Sequence, residues 1–266
     1  MNLEKYGKIS CLQADWCDGN RLIAGVTTRN GGVSRPPYNS LNLGFNTEDA
    51  PYNIEGNRST LLNAFDLPLH HLLLVKQVHG NDVVVIDKQN YDVSHFQHVE
   101  ADAIITNQPG LMLAVTVADC YPLMVFEPEQ RVAAVIHAGW RGAANGLIGK
   151  TIDAMVNEFD CRTEAMLVAV GPGISAEHYE VGKDVREGFR NGTGHWDEIA
   201  SEVEFGKWRV DLQKSCLLQL EQAGVKKKNI DCADACTWNQ RELFFSYRRD
   251  AGTTGRQMGF VLFRDE

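Results

Sequence analysis

Three side chains that bind soft or borderline metal ions stand in similar settings along this chain. LLLVKQVHG closes on His79, VTVADCYPL carries Cys120 just after an apolar run, and VAAVIHAGWRG places His137 at the end of the next. A catalytic zinc keeps three protein ligands and leaves a fourth position open, a rule that two imidazoles and one thiolate satisfy. Bound zinc would bring the pKa of its water to about 7, giving a nucleophile or base at neutral pH. Positions 79, 120 and 137 are distant in sequence, so the fold has to assemble them, whereas structural zinc clips tend to use close-spaced pairs. Singly, a cysteine in a β-rich chain is usually packing and a histidine at a strand end is often a surface residue. The shared setting separates these three from that background. Tyr121-Pro122 bends the chain after Cys120, Gly80 follows His79, and two glycines in HAGWRG let backbone come close to a ligand.

The elements that must place these residues are short. Val/Ile/Leu-rich runs predict strands over 22–28, 72–75, 83–87, 103–106, 111–117, 123–126, 132–136, 165–170, 230–235, 243–247 and 258–263. Helices are predicted over 53–65, 143–159, 183–190 and 212–223. The second carries an apolar stripe of Leu147, Ile148, Ile152, Met155, Val156 and Phe159, and Gly224 stops the last. RNGGVSRPPYNS reads as a loop. With no repeat or linker composition, residues 1–266 are expected to form a single domain. Strands and helices mix without regular βαβ alternation, which favours an α+β fold of mixed sheets flanked by helices. No G-x-G-x-x-G or phosphate-loop motif stands between a strand and a helix.

Composition narrows the function classes. A net charge of −9 gives little support for nucleic-acid binding, and Lys226, Lys227 and Lys228 read as a solvated turn. No apolar run reaches the roughly 18 residues of a membrane helix, and MNLEKYGKIS lacks a signal-peptide core. The expectation is a cytoplasmic protein without membrane partners, monomeric or a small homo-oligomer. Seven cysteines, an odd number in a long chain, argue against a disulfide framework. Cys232-x-x-x-Cys236 lacks the second pair that would complete a metal clip.

Other polar residues share the strand edges. Asp119 is a candidate proton carrier or a strand-end acceptor, and Asn42 a substrate contact or a turn former. Gln77 precedes His79 by two positions and is a candidate substrate contact. Arg141, near a helix N-terminus, would hold an anion or pair with an acid, and Asp102 would cap or form a surface salt bridge. Arg248, Arg249 and Arg256 around a Gly-rich turn offer an anion site or internal salt bridges.

KQVHG, ADAIIT, VTVADCYPL, IHAGWRG, VGPGIS…HYEVG and FFSYRRDAGTTGR together resemble the bacterial laccase-domain proteins. That family has been called multicopper polyphenol oxidase, purine nucleoside phosphorylase and peptidoglycan editing factor. The resemblance implies a layered α/β fold related to a toxin deamidase with a Cys/His pair. It implies a metal site of His79, Cys120 and His137, with zinc more often than copper. It also implies phosphorolysis of adenosine, inosine and methylthioadenosine, with phosphate as co-substrate, and deamination of adenosine to inosine.

Three further readings stay open. A His₂Cys set is also the core of a blue-copper site, and Met124 would be its weak axial ligand or an apolar strand residue. Against a laccase-like polyphenol oxidoreductase, none of the eight histidines forms a His-x-His pair. Without metal, Cys120 could be a thiolate nucleophile with His137 as its base. A hydrolase editing peptidoglycan precursors rests on the family name alone.

Overall fold

In the computed structural model, which describes residues 1–19, 21–87 and 92–265, the short apolar runs are strands of two six-stranded sheets. The first has the order β1 (Asn2–Tyr6), β2 (Ile9–Gln13), β3 (Leu22–Thr27), β15 (Gln257–Phe263), β7 (Met112–Val117), β4 (Leu72–Leu73). The second runs β14 (Ile230–Cys232), β10 (Leu167–Val170), β8 (Tyr121–Glu127), β9 (Val132–Ala138), β6 (Ala103–Thr106), β5 (Val83–Ile86). Both are mixed: β4–β7, β5–β6 and β10–β14 pair in parallel, the other neighbours antiparallel. A third, three-stranded sheet is formed by β11 (Glu180–Val181), β13 (Lys207–Val210) and β12 (Ala200–Glu204).

The period of two in a strand sorts side chains between layers. Val26, Leu113, Val115, Val117 and Val261 of the first sheet meet Met124, Phe126, Ala133 and Val135 of the second. On the outer face of the first sheet, Met112, Phe260 and Leu262 pack with Leu61 and Leu62 of α1 (Pro51–Asn63). On the outer face of the second, Leu123, Val125, Ala134 and Ile136 meet α4 (Leu147–Phe159) and α7 (Leu212–Gln222). The remaining helices are short: α2 (Val93–Phe96), α3 (Trp140–Ala144), α5 (Lys183–Asn191) and α6 (Trp196–Ile199). This is the expected α+β architecture of mixed sheets flanked by helices.

Several expectations change in detail. The helix read over 143–159 is two, α3 and α4, broken where Gly146 adopts a left-handed φ of 74°. Residues 243–247 form no strand: the Gln257 side chain accepts from Phe245 N–H at 2.9 Å and donates to its carbonyl at 3.2 Å, standing in for a ladder partner. No described helix is long and apolar enough to cross a membrane, and all seven cysteines are free.

Candidate metal centre

The site forms where the two large sheets separate at one end. β7 leaves the first sheet at Val117, and Ala118, Asp119 and Cys120 carry the chain directly into β8 of the second. Asp119 turns this corner with a φ of 90°. On β9, Ala133 and Val135 point between the sheets, and His137 continues that alternation at the strand end. His79 arrives on the loop between β4 and β5 with a left-handed φ of 59°. A non-glycine residue there costs roughly 1–3 kcal/mol and needs surroundings that enforce it.

The three ligand atoms lie within 4.8 Å of one another, with Cys120 Sγ 4.0 Å from His79 Nε2. The His79 and His137 rings meet edge to face at 4.7 Å between centroids. Tetrahedral zinc, with Zn–N of about 2.1 Å and Zn–S of about 2.3 Å, would set such atoms about 3.3–3.6 Å apart. Closing the widest pair by up to about 1.5 Å would bring the atoms to that spacing, and two imidazoles with one thiolate are a donor set that suits zinc. Gly139 is part of that fit, because a Cβ there would lie 2.9 Å from His79 Cδ2 and 3.2 Å from Cys120 Sγ. No second group of three or more His, Cys, Asp or Glu side chains with metal-binding spacing occurs among the described residues.

Charge is shared across the cluster. Burial raises the Cys120 thiol, but the neighbouring His137 and His79 imidazoles outweigh it and bring its pKa down to about 6. Burial lowers the His137 imidazole, but the Cys120 thiolate and Asp102 outweigh it and push it up to about 9. Asp102 is fully buried, where a cap or surface ion pair was expected. Burial raises its carboxyl, yet the hydrogen bonds from His137, Gly80 and Val78 hold it below the usual carboxylate range.

A cavity of about 430 Å³ opens in front of the three ligands. Gln77, Asp119 and Arg141 line it, together with all three ligands. The Gln77 amide is tied to β7, donating to Thr116 O at 2.9 Å and accepting from Thr116 N and Oγ1 at 2.8 Å each. Both Asp119 oxygens accept hydrogen bonds, from Thr237 Oγ1 at 2.6 Å and Arg248 N at 2.7 Å. Asn42 is not brought to the cavity. Its Nδ2 donates to Thr47 and Asp49, and its Oδ1 accepts from Gly44 N and Arg256 N, which fixes the start of β15.

The arginines divide. Arg249 is buried, chelates Asp250 at 2.8 Å and 2.9 Å and donates to carbonyls of Thr237 and Phe244. Arg141, Arg248 and Arg256 all line the cavity, and none pairs with a carboxylate among the described residues. Each guanidinium lies over an aromatic ring of the same cavity: Arg141 over Trp140 at 4.3 Å, Arg248 over Tyr179 at 5.3 Å, Arg256 over Tyr247 at 5.6 Å. Sequence spacing did not reveal these aromatic partners, although Trp140 sits inside HAGWRG and Tyr179 inside HYEVG. Met124 is buried between the sheets and does not line the cavity, so the axial-ligand reading is not supported. Cys236 Sγ accepts from Ser175 N at 3.3 Å, and no clip with Cys232 forms.

Residues 23–264 match a family model described as multi-copper polyphenol oxidoreductase laccase. The purine nucleoside phosphorylase YfiH of Escherichia coli is 36% identical over 247 residues, covering 92% of this chain and 96% of that protein. The purine nucleoside phosphorylase of Deinococcus radiodurans is 39% identical over 236 residues, covering 88% of this chain and 87% of that protein. The crystal structure of YfiH, a hypothetical protein of Bacillus licheniformis, superposes with a TM-score of 0.91 at 28% identity, covering 98% of this chain and 99% of that one. YlmD from Geobacillus stearothermophilus superposes with a TM-score of 0.87 at 29% identity, covering 98% of each chain. Fold, cavity and sequence together place this chain in the laccase-like family of YfiH and YlmD, whose relatives carry the name purine nucleoside phosphorylase.

Proposed function

We propose that this protein is a zinc-dependent purine nucleoside phosphorylase that also deaminates adenosine. The observation that carries the reading is the pairing, in one cavity, of a His₂Cys donor set with three arginines that have no carboxylate partner among the described residues. His79, Cys120 and His137 would hold the ion, which supplies a Lewis acid and an acidified water when bound. Arg141, Arg248 and Arg256 suit a phosphate, since guanidinium groups bind such oxyanions in bidentate fashion. Trp140, Tyr179 and Tyr247, with Val117 and Ile174, give the walls flat apolar surface for a purine. In phosphorolysis of adenosine, inosine or methylthioadenosine, a phosphate oxygen forms a bond to C1′ of the ribose as the bond to the base breaks. In deamination, water replaces the C6 amine of adenosine and ammonia leaves. Gln77 keeps one amide hydrogen free of Thr116 for the substrate. Asp119 is better suited to holding the Arg248 backbone than to carrying a proton, because both its oxygens are engaged.

Chromatography of adenosine, inosine and methylthioadenosine incubated with enzyme and phosphate tests the reading. Free base should appear with the matching sugar phosphate, ribose 1-phosphate from adenosine or inosine and 5-methylthioribose 1-phosphate from methylthioadenosine, and both should be lost in Cys120→Ala. Nucleosides that stay intact with zinc-loaded enzyme would refute it. A copper polyphenol oxidoreductase fits the site less well, since no second histidine cluster accompanies the first among the described residues. A second reading rests on the low Cys120 pKa. A thiolate beside two imidazoles is the pair of a cysteine hydrolase, as in the toxin-deamidase fold, and would act on amides such as those of peptidoglycan precursors. Turnover of an amide in the presence of a chelator, abolished by iodoacetamide, would favour it.

A further inference from the structure

We infer that Asp102 is a positioning residue that orients both imidazole ligands at once, an assignment that rests on the metal-site part of the proposed function. Its two oxygens accept four hydrogen bonds. Oδ1 takes His137 Nδ1 at 2.7 Å and His79 N–H at 3.1 Å, while Oδ2 takes Gly80 N–H at 2.6 Å and Val78 N–H at 3.2 Å. The main chain adds a fifth contact, because the Asp102 carbonyl accepts from His137 N–H at 2.8 Å.

The two histidines are held by different means. His137 is held through its ring: with Nδ1 donating to Asp102, Nε2 is the atom left for a metal, which fixes the tautomer. His79 is held through its backbone. Three successive N–H groups converge on the carboxylate and enforce the turn in which His79 adopts its φ of 59°. Its ring thereby faces Cys120 although the residue itself is exposed.

Only an acceptor on both sides satisfies this pattern. In Asp102→Asn, an amide nitrogen in place of Oδ2 would face the N–H groups of Val78 and Gly80. An amide nitrogen in place of Oδ1 would face His79 N–H and would make His137 Nδ1 an acceptor, which turns the proton of the ring onto Nε2. The first orientation disturbs the turn that carries His79, and the second disturbs both ligands. Loss of such an outer partner costs about 10–100-fold in metal affinity.

The test is zinc affinity, by competition with a chromophoric chelator and without nucleoside, for the full chain and Asp102→Asn. The Co²⁺-substituted proteins supply a spectroscopic signature of ligand geometry. A 10–100-fold weaker affinity with an altered visible spectrum is expected. Asp250→Asn serves as the control for a structural effect: it breaks the pair with Arg249 away from the ligands and should lower stability while leaving the Co²⁺ spectrum unchanged. Equal affinity and spectrum in Asp102→Asn would overturn the inference while leaving the metal site intact. Failure of the unaltered protein to bind zinc or cobalt would overturn both. Zinc binding without nucleoside turnover would refute the phosphorylase reading alone. Should Asp102→Asn not fold, the side-chain ¹⁵N shifts of His137 in the zinc-loaded protein decide. A proton on Nδ1 supports the inference, and metal on Nδ1 overturns it.

Discussion

Replacing Gly139 by alanine should weaken metal binding without unfolding the protein. The backbone at Gly139 has φ −76° and ψ 163°, which alanine adopts freely, so the substitution adds only a methyl group. That methyl would lie 2.9 Å from His79 Cδ2 and 3.2 Å from Cys120 Sγ. Carbon–carbon contact is optimal at about 3.5–4.0 Å, so the shortfall against His79 is at least about 0.6 Å. Cys120 stands at the corner between the two large sheets, whereas His79 is exposed on a loop, so His79 is the group that yields. The strain is therefore relieved by displacing a ligand, and its cost appears in the metal-bound state. Overpacking of this kind costs about 1–3 kcal/mol, which corresponds to roughly 5–150-fold in zinc affinity. Chelator competition measures the affinity, and thermal unfolding of the metal-free protein checks the fold. A Gly139→Ala protein with unchanged zinc affinity, or one destabilised only when metal-free, would refute the placement of the ligands around this glycine.

Zinc uptake should depend on pH with a definite sign. Between about 6 and 9 the metal-free site holds a Cys120 thiolate and a protonated His137, so zinc displaces one proton, from His137. Affinity should rise about tenfold per pH unit across that window and fall more steeply below 6, where the thiol is protonated as well; calorimetry in buffers of different ionisation enthalpy counts the protons. Arg141→Ala, Arg248→Ala and Arg256→Ala should each raise the KM for phosphate about tenfold, from one lost charge-assisted hydrogen bond of about 1.5 kcal/mol. Arg249→Ala should instead lower stability by roughly 1–3 kcal/mol in urea unfolding, since it strips the charged partner from a half-buried Asp250. Asn42→Ala leaves the N–H groups of Gly44 and Arg256 without their acceptor, at about 1–3 kcal/mol each, so it should destabilise the fold first and raise the phosphate KM only through Arg256.

The convergence of His79, Cys120 and His137 was legible because each stands where an apolar run stops, and the period of a strand already aims His137 between the sheets. Asp102 was not, since its main partners are backbone N–H groups of residues 78–80, which no side-chain spacing records. The arginines of FFSYRRDAGTTGR were visible as a cluster, but which of them faces the cavity depends on the turn that buries Arg249 against Asp250. The hairpin of β12 and β13 escaped notice because ASEVE is largely exposed and KWRV, although it buries Trp208 and Val210, is only four residues long. The same weakness works in reverse at Leu243, Phe244 and Phe245, an apolar run that forms no strand because Leu243 and Phe244 donate to the Gln240 carbonyl and Phe245 pairs with the Gln257 side chain.

X-ray absorption at the zinc edge of the purified protein tests the metal centre most directly. The account predicts near-stoichiometric zinc with one sulfur at about 2.3 Å and two imidazole nitrogens at about 2.0–2.1 Å, the sulfur contribution vanishing in Cys120→Ala. A zinc shell of oxygen and nitrogen alone in the unaltered protein, or one unchanged by Cys120→Ala, would contradict it.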